Sequence, residues 1–265
     1  MDDIYQVYVS RVAHMTLPEA YLSQLEHIQE SPKYRLEANG TRIAVPFPGY
    51  SVITCPAGES TQNQGFYQNL KTCQHQLEKI LGTDLLISVP PESLHLTLAD
   101  LIWDSSYEVA VQQTPEFEPR LRRAIAQSFT AFTETQTQAP APIAWQVFGL
   151  LVMARAIGVC LVPRDESAYD TTVQIRRMLY QNSDLMALGI EQQYHFTAHI
   201  TLGYFGKISP ELNREKISQA LADLNSQWID SPQELSVHRV ELRKFDDMTQ
   251  YYREPDWPTL RFDPD

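Results

Sequence analysis

The sequence predicts an α+β fold in which antiparallel sheets carry their helices on the outer side. Several strand-like segments follow one another without the long crossover that parallel strands require, which favours antiparallel pairing. The order of strands, helix, strands and helix also occurs twice, in residues 41–135 and again in residues 143–265. The segment between them, residues 135–142, is rich in Thr, Gln, Ala and Pro, as linkers often are. We therefore expect two similar halves joined by a short seam.

Residues 1–40 are expected to form a helical extension ahead of these halves. Leu17-Pro18-Glu19-Ala20 is typical of a helix start, and Ser31-Pro32 ends the helix that it opens. His14 and His27 lie in this segment, and the neighbouring sequence contains no cluster of polar residues that would indicate a functional site. We interpret both as surface or helix-packing residues.

Hydrophobic periodicity assigns the elements of the two halves. Apolar residues at steps of three and four indicate helices, and alternating or short apolar runs indicate strands. The first half is predicted to contain strands at 42–45, 50–55, 85–89 and 94–99 and helices at 62–80 and 115–135. The second half is predicted to contain strands at 143–153, 157–162, 194–205, 235–242 and 251–262, a helix or helix pair at 165–188 and a helix at 209–224.

Composition restricts the class of partner. The chain has 265 residues and a formal net charge of −12, which argues against recognition of a long phosphate backbone, because that mode needs a basic surface. A small phosphorylated ligand or an oligonucleotide end in a local pocket remains compatible with this charge. No long nucleic acid is therefore expected as a partner.

The cysteines and the N-terminal residues indicate the compartment. Cys55, Cys73 and Cys160 are widely spaced and form no Cys-x-x-Cys pair, so neither a disulfide framework nor a zinc ribbon is predicted. The first residues lack the basic start and apolar run of a signal peptide, and no apolar run is long enough to span a membrane. We expect a cytoplasmic monomer that does not contact membranes.

The most informative stretch alternates polar and apolar residues from Tyr194 to Tyr204. As a strand it would place four polar side chains on one face, because side chains alternate between the two faces; these are His195, Thr197, His199 and Thr201. A shorter stretch with the same pattern, Ser93 to Ala99, would project His95 and Thr97 together.

The His-x-Thr spacing has a chemical reason. On one strand face the imidazole reaches a reacting oxygen while the hydroxyl binds a neighbouring oxygen of the same tetrahedral phosphate. Two such strands face to face would supply a general base and a general acid, as well as hydroxyl donors for the non-bridging oxygens. This chemistry requires neither a metal nor a cofactor, and none is expected. A zinc ion shared by His195 and His199 is excluded on a regular strand, where the two lie roughly 13 Å apart.

His95-Leu96-Thr97-Leu98 and His199-Ile200-Thr201-Leu202 together resemble the signature of the 2H phosphoesterase superfamily, which includes RNA 2',3'-cyclic phosphodiesterases and 2'-5' RNA ligase-like proteins. The resemblance covers roughly residues 41–245. It implies a single domain over residues 41–265 with two pseudo-symmetric lobes, roughly 41–135 and 143–265. An exchange of strands between the two lobes is compatible with this division. The catalytic cleft would lie between the lobes.

The resemblance also implies roles for individual residues. His95 and His199 would be the acid/base pair, and Thr97 and Thr201 the phosphate-binding residues. Phe47-Pro48-Gly49, Pro90-Pro91 and Phe196 resemble a bacterial branch of the superfamily. The implied activity is metal-independent hydrolysis of a small cyclic phosphodiester, a nucleoside 2',3'-cyclic phosphate or an oligonucleotide end, as in RNA processing.

Several alternatives stay open at the level of sequence. His195-Phe196-Thr197-Ala198 also matches the motif; we prefer His199 because Ile200 and Leu202 match the bulky pair of the first motif better. The protein could instead be a non-catalytic nucleotide or RNA-end binding module, or a 2'-5' RNA end ligase. Candidate cleft-lining residues are His195, Tyr204 and Tyr50. Weaker candidates are Tyr194 for stacking and Arg11, Arg42, Arg155, Arg239 and Arg243 as cations.

Overall fold

A computed structural model describes residues 2–38, 40–137, 141–231 and 233–262. The longer helices in these ranges follow the apolar periodicity of the sequence, and none of the helices there is long and apolar enough to cross a membrane. They are α1 Tyr5–Met15, α2 Pro18–Glu26, α3 Gln64–Leu85, α4 Asp104–Gln113, α5 Phe117–Thr135, α6 Glu166–Tyr180, α7 Ser183–Met186 and α8 Arg214–Ile229, with a single 3₁₀ turn at Pro91–Ser93.

In the part of the chain that the structure describes, the strands form two main sheets and one small ribbon, and all their pairings are antiparallel. The strands are β1 Tyr34–Leu36, β2 Arg42–Ala44, β3 Gly49–Thr54, β4 Leu86–Ser88, β5 Thr97–Trp103, β6 Ile143–Val152, β7 Ala156–Pro163, β8 His199–Phe205, β9 Glu234–Val237, β10 Arg239–Phe245 and β11 Thr259–Arg261. The prediction of an α+β fold is confirmed.

The two main sheets exchange strands between the halves of the chain. The first sheet has the order β11-β10-β3-β5, so two of its strands come from the C-terminal half. The second sheet has the order β4-β8-β7-β6-β9, and its edge strand β4 comes from the N-terminal half. β1 and β2 pair with each other in a separate two-stranded sheet. Each main sheet is therefore built from both halves.

The N-terminal helices pack into the core of the second half. Tyr8 of α1 and Tyr21 of α2 are fully buried, and the Tyr8 hydroxyl donates to the Leu161 carbonyl oxygen at 2.7 Å. Arg176 of α6 forms an ion pair with Asp2 at 2.7 Å, and both side chains are almost completely buried. The division into an extension and a domain stays a prediction, but these contacts tie the extension to the second sheet.

Both strands that were predicted to carry a motif histidine begin later than predicted. β5 begins at Thr97 and β8 at His199, so His95 and residues 194–198 precede regular strand. Side chains of the N-terminal segment replace strand pairing in the second case: Asp2 accepts a hydrogen bond from the Phe196 amide at 2.9 Å, and the Tyr8 hydroxyl accepts one from the Ala198 amide at 3.2 Å. The prediction of a continuous strand at 194–205 was wrong for this reason.

Other boundaries differ for simpler reasons. α4 was not predicted, because none of its residues is buried and it has no apolar stripe to recognise. Only residues 259–261 of the predicted strand 251–262 form β11. The predicted seam at 135–142 lies partly outside the described residues. No cysteine in the described ranges forms a disulfide.

Candidate active site

A cavity of about 910 Å³ lies between the two sheets. Strands β5 and β8 supply facing walls, and residues of the turns before β1 and between β6 and β7 also line the cavity. Both sequence motifs therefore meet at one site. Among the lining residues, those with hydrogen-bonding side chains in the two motifs and further along their strands include His95, Thr97, Asp100, His199, Thr201 and Tyr204.

The two histidines are held in the same way. His95 Nδ1 lies 2.6 Å from the Ser93 carbonyl oxygen, and His199 Nδ1 lies 2.8 Å from the Thr197 carbonyl oxygen. A carbonyl oxygen can only accept, so Nδ1 of each ring carries a hydrogen, and in the neutral form of either imidazole the lone pair is on Nε2. Each ring is thus fixed by the backbone two residues earlier, with Nε2 left for chemistry.

A bulge follows the threonine of each motif. Thr97 pairs with Ile53 and Ala99 with Val52, so that Leu98 is an extra residue in β5. Thr201 pairs with Gly158 and Gly203 with Ile157, so that Leu202 is an extra residue in β8. Because each bulge adds one residue, it shifts the alternation of side chains: residues after the bulge that would otherwise point to the opposite face now point to the same face as the threonine.

The bulges bring one further residue of each strand onto the cavity face. Residues that pair across antiparallel strands point to the same face. Asp100 pairs with Ser51, two residues from the partner of Thr97, and Tyr204 pairs with Ala156, two residues from the partner of Thr201. Asp100 and Tyr204 thus stand at equivalent positions, three residues after each threonine. Sequence reasoning missed Asp100, because strict alternation would place Ala99 there instead.

Buried side chains support both bulges. Arg176 Nη1 donates to the Leu98 carbonyl oxygen. Gln74, which is also buried, donates through Nε2 to the Leu202 carbonyl oxygen at 2.8 Å. The carbonyl oxygen of each extra residue therefore keeps a hydrogen-bond donor at the bulge.

Burial lowers the pKa of His95 to about 4; nearby His199 and Arg243 lower it further, while the Ser93 carbonyl and the Asp100 carboxylate oppose the shift. The Tyr251 ring lies edge-on to the imidazole with the ring centroids 4.2 Å apart. The uncharged form is favoured because the site withholds water from the ring. His95 is thus a neutral imidazole at neutral pH.

Asp100 links the two walls of the cavity. Its carboxylate accepts hydrogen bonds from the Ser51 hydroxyl at 3.2 Å and from the Tyr194 hydroxyl. The Tyr180 hydroxyl donates to its backbone carbonyl oxygen at 2.8 Å. Because Tyr194 precedes β8 while Asp100 belongs to β5, this contact crosses from the second sheet to the first.

Lys33 is a cavity residue for which the sequence offered no signal. It lies in the turn before β1, and its side chain reaches the cavity beside Phe47 and Tyr204. Burial lowers the pKa of its ammonium to about 8, against the opposing effect of Asp100 and Asp104. A half-buried cation facing a cavity is a candidate for contact with an anionic ligand.

His195 and Tyr50 do not reach this cavity. The His195 side chain is 63% exposed, with Nδ1 3.4 Å from an Asp3 carboxylate oxygen. Tyr50 is fully buried on the opposite face of β3 from Ser51, where its ring contacts Tyr107 and Trp257. Neither residue is placed beside the two motifs.

The five arginines considered as cations have different places. Arg155 lines the cavity. Arg11 donates instead to Thr197 and to the Phe196 carbonyl oxygen. The other three make contacts elsewhere: Arg42 with the Asp84 carbonyl oxygen, and Arg239 and Arg243 with Glu241. Within the described ranges, no group of three or more His, Cys, Asp and Glu side chains is arranged to hold a metal ion.

Among solved structures, the fold is similar to that of a conserved protein of unknown function from Agrobacterium tumefaciens. The two chains are 16% identical with a TM-score of 0.60, and the match covers 92% of this chain and 97% of that one. This likeness shows a shared fold. No family model and no curated protein matches the chain by sequence.

Two weaker similarities were also found. A Thermus thermophilus protein is 15% identical, with 80% of this chain and 97% of that chain covered and a TM-score of 0.46. Escherichia coli LigT complexed with 3'-AMP is 15% identical, with 78% and 94% covered and a TM-score of 0.45. TM-scores this low do not establish a shared fold.

Proposed function

We propose that the protein is a 2H-type phosphodiesterase that hydrolyses a small cyclic phosphodiester, a nucleoside 2',3'-cyclic phosphate or the cyclic-phosphate end of an oligonucleotide. One observation carries the proposal: His95 and His199 have identical backbone anchors and line one cavity together with Thr97 and Thr201. Partly buried structural histidines have no reason to occur as such a matched pair.

His95 would act as the general base and His199 as the general acid. A neutral imidazole whose Nε2 bears a lone pair can take a proton from water, and His95 fits this description. The water oxygen forms a bond to phosphorus, and the bond from phosphorus to one ribose oxygen breaks. His199 enters the step as an imidazolium and gives its Nε2 proton to that departing oxygen, while Nδ1 keeps its hydrogen on the Thr197 carbonyl oxygen. Both protons and the leaving group are thereby accounted for.

The threonines would stabilise the charge held on phosphorus. Each hydroxyl lies two residues beyond its histidine and lines the same cavity. Hydroxyl donors aimed at the non-bridging oxygens act on the charge that persists through the transition state. Thr97 and Thr201 would therefore bind the phosphate from its two sides.

The cavity suits a nucleotide in size and lining. Its volume of about 910 Å³ is within the range of small-molecule sites. Aromatic side chains occupy its walls and can stack on a base, as aromatic residues do in single-strand nucleic acid sites; they are Phe47, Trp103, Tyr194, Tyr204, Phe245 and Tyr251.

The test is hydrolysis of nucleoside 2',3'-cyclic phosphates and of short RNA with a cyclic-phosphate end. His95→Ala and His199→Ala should each lower kcat by about 10²–10⁴-fold, the usual contribution of a positioned acid or base. His75→Ala, at an exposed helix position, is the matched control. Activity that survives both substitutions in the cavity would refute the mechanism.

Two further arms separate the alternatives. His195→Ala should retain activity, because the His195 side chain lies outside the cavity; a loss equal to that of His199→Ala would place the second motif four residues earlier. Assays with and without EDTA should agree, and activity lost in EDTA would indicate a metal enzyme.

A further inference from the structure

We propose that Lys33 forms a second anion-binding subsite in the cavity and selects substrates that carry another phosphate group on the 5' side of the reacting cyclic phosphate. This inference rests on the proposed function and names its substrate class more narrowly. The ligand chemistry is a phosphate monoester or diester at the 5' position.

The Lys33 ammonium has unusually weak partners. Nζ lies 3.2 Å from Met248 Sδ and 3.5 Å from the Tyr204 hydroxyl. It also lies 4.4 Å from the centre of the Phe47 ring and 5.0 Å from that of the Tyr204 ring. Across the described ranges, none of the ion pairs within 4.0 Å involves Lys33.

Such a cation is poorly stabilised when the cavity holds only water. Two aromatic rings offer some attraction, but burial without a carboxylate costs free energy. The lowered pKa of Lys33 reports this cost. An anion in the cavity would restore the missing partner through a charge-assisted hydrogen bond.

The contact of Lys33 with Tyr204 fixes its position relative to the second motif. The bulge at Leu202 puts Tyr204 on the same face of β8 as His199 and Thr201. Tyr204 is three residues beyond Thr201, or about 7–10 Å along the strand when one residue is taken up by a bulge. This span suits one ribose, whose 5' oxygen and 2',3' oxygens lie at opposite ends of the sugar.

Charge in the cavity gives the substrate a direction. Arg155 adds a second cation to the cavity lining, where its Nη2 donates to Gln29 Oε1 at 3.1 Å. Asp100, the counterpart of Tyr204 on the other wall, presents a carboxylate that would repel phosphate. Lys33 and Arg155 therefore attract an additional phosphate to the β8 side, although the whole chain carries a net charge of −12. The Asp100 carboxylate also acts on the Lys33 ammonium, whose pKa it raises, and opposes this attraction in part.

The substrate test compares adenosine 2',3'-cyclic phosphate with its 5'-phosphorylated form and with a dinucleotide that ends in a cyclic phosphate. We expect kcat/KM to be about tenfold higher or more for the two substrates with a 5' phosphate group, as one charge-assisted contact allows. A preference limited to the 5'-monophosphate would indicate a free nucleotide, and a preference limited to the dinucleotide an RNA end.

Lys33→Met keeps the apolar stem and removes the charge. The variant should raise KM for the 5'-phosphorylated substrates, so that the ratio of kcat/KM with and without the 5' phosphate falls close to one. The unphosphorylated substrate should be turned over as by the wild type. Lys33→Arg should retain most of the preference. Lys207→Met, at an exposed position, is the matched control, and an unchanged Tm verifies that Lys33→Met is folded.

The outcomes separate this inference from the proposed function. Equal kcat/KM for all substrates in the wild type would overturn the subsite and leave the phosphodiesterase intact. If no substrate is hydrolysed, calorimetric binding of adenosine 3',5'-bisphosphate and adenosine 3'-phosphate still tests the subsite. Tighter binding of the bisphosphate that Lys33→Met abolishes would support it, and equal binding would overturn it.

Discussion

Arg11 and His199 are connected through a single residue, Thr197. Arg11 Nη1 donates to the Thr197 hydroxyl at 2.7 Å and Nη2 donates to the Phe196 carbonyl oxygen at 2.6 Å. The Thr197 carbonyl oxygen in turn accepts the hydrogen bond from His199 Nδ1. Asp3 holds Arg11 in place with a contact of 3.0 Å. A helix of the N-terminal extension thus supports the anchor of the second histidine.

Arg11→Met should therefore misorient His199. We expect kcat to fall about tenfold with little change in KM, because small errors in the position of an acid or base are costly while ground-state binding is not affected. Steady-state kinetics on the cyclic phosphate substrate will measure this. Arg177→Met, at an exposed position of α6, is the control; an equal kcat for both variants would contradict the positioning role.

The pH profile should report the neutral state of His95. A general base acts only when deprotonated, so kcat/KM should fall as pH drops through the His95 pKa of about 4 rather than through the ordinary histidine value. The charged or titratable groups near the His95 imidazole, which bear on its pKa, are Asp100, His199, Arg243 and Tyr251.

Asp100→Asn should move that acidic limb to still lower pH, since the Asp100 carboxylate raises the pKa of His95. Titration of the His95 imidazole by NMR in the resting protein provides a measurement independent of catalysis. An imidazole that titrates at the ordinary histidine pKa in both proteins would disprove the assignment of His95 as the buried base.

The buried ion pair between Asp2 and Arg176 should matter greatly for stability. Arg176→Met leaves the Asp2 carboxylate buried without its cation and the Leu98 carbonyl oxygen without its donor. We expect the free energy of unfolding to fall by about 3–5 kcal/mol, measured by urea denaturation. The exposed pair Arg35–Glu37 is the comparison, where Arg35→Met should cost less than about 1 kcal/mol; similar losses for the two variants would show that burial is not the cause.

Gly158 permits the close approach of β7 and β8 at the bulge. A Cβ there would overlap the Ile200 carbonyl oxygen, which is backbone and cannot rotate away. Gly158→Ala should lower Tm and also lower kcat, because β8 carries His199. Gly65→Ala is the matched control: it lies in α3 with no atom within 4 Å of the added Cβ, and alanine there should be neutral or stabilise by up to about 1 kcal/mol.

The sequence was sufficient for the fold class and for the hairpin of β6 and β7, because long apolar runs determine both. It was also sufficient to select His95, Thr97, His199 and Thr201, which the structure brings to one cavity, while their catalytic roles stay predictions. A local pattern of apolar and polar residues predicts the structure correctly where strand pairing and burial in the fold favour the same arrangement.

The remaining cavity residues depend on information that local pattern does not contain. Leu98 and Leu202 resemble ordinary strand residues, so nothing in the sequence indicated the two bulges. Asp100 was missed for this reason, whereas Tyr204, a cleft-lining candidate by sequence, does line the cavity. Lys33 lies in the turn before β1, and tertiary packing, rather than local sequence, brings this turn to the cavity. His195 followed the alternating pattern, but side chains from the extension replaced strand pairing there and left it at the surface.

The exchange of strands determines when the site can form during synthesis. β3 and β5, which carry the first half of the cavity, stay an incomplete sheet until β10 at residues 239–245 has left the ribosome. β8 likewise needs β4, made more than a hundred residues earlier. Closing such long loops is slow compared with local pairing. A nascent chain therefore holds no working half-site, and two separately expressed halves should acquire structure only when mixed.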